Sequence, residues 1–289
     1  MATCYRHPSR ETGVSCANCG RPICPDCMTT TPVGMRCPEC SRQRTPVKTL
    51  RNTVRRPEVT LALVAINVIA FLAEGNISIS GQPTSKVYEE GALIGSFPGY
   101  PNLGVAHGQW WRLVTSGFLH ENLIHIGFNM YVLWILGQML EPALGRLRFA
   151  VIYGVSLLTG SLGALIVTPH AATVGASGAV FGIMGAAAVE MRARQIPVMQ
   201  SGVGGLILIN LVISFTLPGI SWGGHVGGLI GGALVALMFN EAQRRRVSQP
   251  VVLAACAVIA AGAIAGSIAT AKSSESPTSV NLLQRGTGE

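Results

Sequence analysis

The chain has 289 residues, of which 49% are hydrophobic and only 12% charged. A soluble domain carries about a quarter charged residues, so this composition points to lipid as the main solvent. The formal net charge of +8 does not indicate a nucleic-acid groove, because most Lys and Arg fall in short runs between apolar stretches.

The opening residues, MATCYRHPSR, contain no apolar run of the kind a cleavable signal peptide needs, so none is expected. Seven of the eight cysteines lie before position 41. With His7 they give Cys4-x2-His7, Cys16-x2-Cys19, Cys24-x2-Cys27 and Cys37-x2-Cys40. Eight ligands in four pairs suffice for two tetrahedral zinc ions. A cross-braced arrangement would join Cys4, His7, Cys24 and Cys27 in one site and Cys16, Cys19, Cys37 and Cys40 in the other; a sequential arrangement is the alternative. Metal binding would largely fold so small a segment. The stretch from Ser41 to Pro57 then turns basic and polar, as a linker does.

Seven apolar stretches follow, at Val59–Ala73, Leu123–Leu140, Phe149–Val167, Ser177–Val189, Met199–Leu217, Trp222–Phe239 and Val251–Ala271. A spanning helix takes roughly 17–25 residues. With seven spans, every basic cluster falls on one side. Arg42, Arg44, Lys48, Arg51, Arg55 and Arg56 precede the first span. Arg146 and Arg148, Arg192 and Arg194, and Arg244 to Arg246 lie in later loops on that side. That side is expected to be cytoplasmic, which puts the N-terminus inside and the polar tail outside a plasma membrane. Trp110 and Trp111, in the long first loop, read as interfacial anchors.

Polar groups inside apolar stretches are costly and need a reason. The second stretch carries His125 and Asn129, four apart and so on one helix face. The fourth opens with Gly175-Ala176-Ser177-Gly178, and the sixth carries His225 among glycines. The short fourth stretch would sink Ser177 below the outer surface, at a helix N-terminus whose free N–H groups stabilise a developing oxyanion. Unionised serine needs a neighbouring base, and neutral imidazole suits that role. Gly228 with Gly232, or Gly227 with Gly231, would let the sixth helix approach another closely, the fourth being the expected partner. Asn67, in the first stretch, reads as structural, and Cys256 in the last as a small packing residue.

At these residues the sequence resembles the rhomboid family of intramembrane serine proteases over roughly Arg56 to Arg246. The resemblance rests on Trp111-Arg112 in the first loop, His125-x3-Asn129, Gly175-x-Ser177-Gly178 and His225-x2-Gly228-x3-Gly232. It implies Ser177 as nucleophile, His225 as general base, and an oxyanion hole formed by the Ser177 N–H with the His125 and Asn129 side chains. It also implies Phe181 packed on the histidine and Arg112 as a structural contact of the loop. The implied reaction is hydrolysis of transmembrane segments of single-span substrates within the bilayer, with no cofactor for the chemistry. A catalytically silent relative that binds client helices is the competing expectation.

The N-terminal segment is similar to a B-box-type zinc finger, for which docking of cytoplasmic proteins is the expected role. Its spacing is not that of a DNA-reading finger, so nucleic acid is set aside as a partner. The expected architecture is all-α and polytopic: a zinc-binding module at 1–42, a basic linker at 43–57, a six-helix core at 58–246, a seventh transmembrane helix at 247–272 and a polar tail at 273–289.

Overall fold

The computed structural model describes residues 2–42, 56–75, 77–79 and 85–275. It divides into two compact units, Met1–Arg55 and Arg56–Glu289. Most of the expected linker, with Arg44, Lys48, Arg51 and Arg55, and the tail beyond Glu275 lie outside the described residues.

The first unit holds two antiparallel ribbons, β1 (Ala2–Thr3) with β2 (Glu11–Thr12) and β3 (Thr29–Thr31) with β4 (Gly34–Arg36), then the short helix α1 (Pro38–Arg42). Strands of two or three residues are too short to show a period of two in the sequence. Ile23 is the one aliphatic side chain in the buried cluster of this unit; the rest are cysteines. A core of that kind cannot hold a fold by apolar burial alone.

Among the described residues the second unit is built from helices joined by loops. All seven apolar stretches form helices: α2 (Glu58–Glu74), α5 (Leu123–Leu144), α6 (Arg146–Val167), α7 (Ser177–Ala193), α8 (Val203–Thr216), α9 (Trp222–Arg244) and α10 (Gln249–Ser273). The first loop adds the short helices α3 (Lys86–Gly91) and α4 (Arg112–Thr115). Among the described residues α5, α6, α9 and α10 are long and apolar enough to cross a membrane. The chain is a multi-pass membrane protein.

Two bounds differ usefully from expectation. α8 begins at Val203, not Met199, because Met199 to Ser201 form a turn that ends at Gly202 with φ of 81°. Its 14 residues reach only about 21 Å. α7 runs on past Glu190 to Ala193, and Glu190 is buried against α7's own neighbours, with Arg194 at 3.5 Å.

Glycines set the depth of packing. α9 lies against both α6 and α7. A Cβ on Gly228 would stand 1.9 Å from the Gly178 carbonyl oxygen, and one on Gly232 2.1 Å from that of Gly182. On the other face, Gly227 and Gly231 meet Thr159 of α6. The two glycine pairs therefore serve two different neighbours, with backbone against backbone toward α7. At the opposite end, Glu141 of α5 accepts from the N–H groups of Val59 (2.9 Å) and Thr60 (2.7 Å) and from the Thr60 hydroxyl (2.7 Å). This caps α2, whose own N-cap residue is Pro57 and has no side-chain acceptor.

Candidate active site and metal centres

Ser177 is the first residue of α7, and the loop before it turns on Gly175. Gly175 has φ of 124°, and a Cβ there would lie 2.7 Å from His125 Nε2. Both facts require glycine. The Ser116 carbonyl accepts from the Gly175 N–H at 2.9 Å and holds the loop down. The first N–H groups of α7 have no partner within the helix and face the loop end.

His225, one turn into α9, places Nε2 2.7 Å from Ser177 Oγ. The Phe181 ring, four residues after Ser177, stacks on the imidazole at 4.2 Å between centroids and 13° between planes. Ser177, His225, His125 and Asn129 line one cavity of about 310 Å³. Asn129 donates from Nδ2 to the His125 carbonyl at 2.9 Å, which leaves its second amide proton free. The four residues singled out from three separate stretches thus meet in one place.

Two further residues, one lining that cavity and one beside His125, went unnoticed in the sequence. Ser214 of α8 lies 2.6 Å from His225 Nδ1 and donates its hydroxyl proton to the Asn210 carbonyl at 2.6 Å. A hydroxyl has one proton. With it committed to Asn210, Ser214 accepts from Nδ1–H, which leaves the Nε2 lone pair facing Ser177. Nearby, His120 is wholly buried, stacks edge-on with His125 at 5.1 Å, and has no partner for either ring nitrogen among the described residues. Burial first, then the neighbouring His125, pushes its pKa down to about 3, so it is neutral. Glu74 accepts from the His120 backbone N–H at 3.0 Å.

Arg112 is buried and does not reach this cavity. It donates to Gln109 Oε1 (2.7 Å) and to the carbonyls of Glu89 (2.8 Å) and Ala92 (2.7 Å), pinning the first loop. Trp110 and Trp111 are exposed beside it, as anchors in an interface would be.

In the N-terminal unit all seven cysteines are free thiols, and the ligand atoms of Cys4, His7, Cys24 and Cys27 lie within 4.8 Å of one another, as do those of Cys16, Cys19, Cys37 and Cys40. Of the two arrangements left open by spacing, this is the cross-braced one. Tetrahedral zinc with bonds of about 2.3 Å to sulfur puts ligand atoms about 3.8 Å apart. Cys19 and Cys37 are separated by 3.8 Å, and His7 Nδ1 lies 3.3 Å from Cys24 and 3.4 Å from Cys27. The Cys37 N–H, donating at 3.3 Å, pulls the Cys16 thiol down to about 6 against the opposing effect of burial. Both groups are compatible with zinc.

A bundle of spanning helices with a serine, an imidazole and an amide around a sunken cavity defines a class of membrane protein, and comparison with known proteins agrees. The Rhomboid domain model matches residues 107–242. The rhomboid protease GluP of Bacillus subtilis (strain 168) is 32% identical over 210 residues, covering 70% of this chain and 40% of GluP. YdcA of the same organism, a candidate rhomboid protease, is 34% identical over 149 residues, 50% of this chain and 75% of YdcA. Rhomboid-like protease 1 of Toxoplasma gondii is 34% identical over 150 residues, 49% of this chain and 51% of that protein. The chain belongs to the rhomboid family. It spans about two-fifths of GluP's length, so activities of whole relatives do not transfer without argument.

Proposed function

We propose that this chain is an intramembrane serine endopeptidase that cleaves transmembrane segments of single-span membrane proteins. The observation that carries the reading is the 2.7 Å approach of Ser177 Oγ to His225 Nε2 on a cavity shared with His125 and Asn129. Ser177 attacks the scissile carbonyl while His225 takes its proton at Nε2. The tetrahedral oxyanion is held by the Ser177 N–H and the His125 and Asn129 side chains. The C–N bond then breaks as His225 returns the proton to the leaving amine, giving an acyl-enzyme. Water, deprotonated by His225, hydrolyses the ester and frees Ser177. Phe181 fixes the plane of the imidazole. Ser214 is a positioning residue: by accepting from Nδ1 it selects the tautomer that the first step needs.

A serine-reactive fluorophosphonate tests this on the purified full chain. The expected result is labelling of the intact protein, none of Ser177→Ala, and a drop of at least tenfold for His225→Ala. Labelling that persists in Ser177→Ala overturns the assignment. A silent scaffold has no need of a formed Ser–His contact, so the geometry favours the enzyme.

The same reading takes residues 58–246 as the catalytic core, 247–272 as an added span, and 1–42 as a module with two structural zinc ions held by Cys4, His7, Cys24 and Cys27 and by Cys16, Cys19, Cys37 and Cys40. Zinc supplies folding energy there and no step of the hydrolysis. The one-sided basic clusters support a plasma-membrane topology with a cytoplasmic N-terminus, which leaves the module placed to dock cytoplasmic proteins. Protease protection of the module in right-side-out vesicles is the expected outcome; its cleavage there would reverse the topology.

A further inference from the structure

Away from the catalytic cavity, the seam between α6 and α10 carries features the proposed reaction does not use. At its basic end a cavity of about 220 Å³ is lined by Arg148, Gln243, Arg246 and Gln249, with Phe239 and Val252 among its apolar walls. Among the described residues no carboxylate lines it. The acids of this region are engaged elsewhere: Glu241 pairs with Arg244 and Arg245, and Glu58 with Arg146. Arg148 and Arg246 have no ion-pair partner among the described residues.

Both arginines are fixed by their surroundings. Arg148 stands over the Phe239 ring at 5.4 Å and donates to Gln243 Oε1 at 3.2 Å. Arg246 has φ of 57° at the end of α9. Its N–H goes to the Gln243 carbonyl and that of Val247 to the Ala242 carbonyl, a helix-ending motif whose left-handed residue is usually glycine. An arginine at this position carries a backbone strain that glycine would not.

From this cavity the seam continues toward the middle of the bundle. A second cavity of about 360 Å³ is walled by Val151, Val155 and Leu158 of α6 and Leu253, Ala257 and Ala260 of α10. Those residues follow Arg148 and Gln249 at helical spacing, so they lie on the same faces. Gly154 also lines it, and a Cβ on Gly154 would meet nothing within 4 Å. From Arg148 to Leu158 the groove runs about 15 Å. Two unpaired cations at the mouth of an apolar groove match one kind of molecule. We propose that this seam binds an anionic phospholipid, with Arg148 and Arg246 on the phosphate and one acyl chain lying along the groove past Gly154. A basic pocket between spans is a recognised form of headgroup site. A zwitterionic lipid offers the phosphate with a compensating cation, and a free phosphate has no use for the groove.

The test uses the full chain in neutral detergent, titrated with phosphatidylglycerol, with phosphatidylcholine of the same acyl chains, or with glycerol 3-phosphate, and read by native mass spectrometry. No peptidase substrate is present, so the result is independent of the catalytic reading. Phosphatidylglycerol is expected to bind at least tenfold more tightly than either alternative. Arg246→Gly relieves the backbone strain, so it should raise thermal stability while reducing the preference for phosphatidylglycerol severalfold. Arg148→Gln with Arg246→Gly should erase that preference. Gly154→Phe should fill the groove and weaken phosphatidylglycerol at least fivefold with helix content unchanged. Equal binding of the two lipids overturns the proposal, as does glycerol 3-phosphate binding as tightly as phosphatidylglycerol. So does an undiminished preference in the double variant.

Discussion

The two units are held together by opposite means. The N-terminal unit buries cysteines around Ile23 and has ligand groups where a core would be. The membrane unit draws two of its helices together through residues with no side chain at all, Gly178 and Gly182 of α7 against Gly228 and Gly232 of α9. On the proposed reading, one fold depends on something that must be bound, the other on space that must stay empty. The first should fail by loss of a ligand and the second by gain of a methyl group.

Removing metal gives the largest expected effect. Structural zinc in small modules supplies roughly 10–16 kcal/mol of apparent binding energy. A strong chelator, or Cys16→Ser with Cys37→Ser, should unfold the N-terminal unit. Amide exchange across residues 2–42 would rise to the unfolded rate, while the spans keep their protection. About two zinc ions per chain should be found by elemental analysis, and a metal-free unit that stays protected would break the contrast.

Next is Gly228→Val. With Gly178 backbone in the way, α7 and α9 must separate, at a cost of about 3 kcal/mol or more. Fluorophosphonate labelling and thermal stability should fall together. Ser214→Ala sharpens the picture within the site. Labelling should drop roughly tenfold to a hundredfold through loss of the tautomer lock, with thermal stability changed by about 1 kcal/mol. Ser214→Thr should restore most of the rate, which a merely structural role would not require. The smallest is Glu141→Gln, which keeps an acceptor for α2 but gives up its charge. It should cost about 1 kcal/mol and leave labelling intact.

The sequence was most informative where chemistry contradicts its surroundings. Ser177, His225, His125 and Asn129 stand out because polar groups in apolar stretches demand a reason, and the structure brings them to one cavity. Ser214 does not stand out, because a serine in a membrane helix ordinarily bonds its own backbone four residues earlier. It does so here, to Asn210, and its second contact needs a different helix to be visible. The eight candidate ligand positions were readable from spacing, which left a cross-braced and a sequential sorting open; the fold groups them in the cross-braced way. α8 was overextended because Met199 and its neighbours continue the apolar run, while the turn at Gly202 is a backbone event. Two glycine pairs on α9 looked like alternatives for one neighbour. They serve two, because a helix offers more than one face.

The Glu141 carboxylate has a consequence for how the protein is made. It caps α2 from 82 positions further along the chain. At translation speeds of about 5–20 residues per second, that acceptor arrives roughly 4–16 s after the donors. Until then the N–H groups of Val59 and Thr60 must be satisfied by water or headgroups at the bilayer surface. α2 therefore settles into its final position only after α5 has been made.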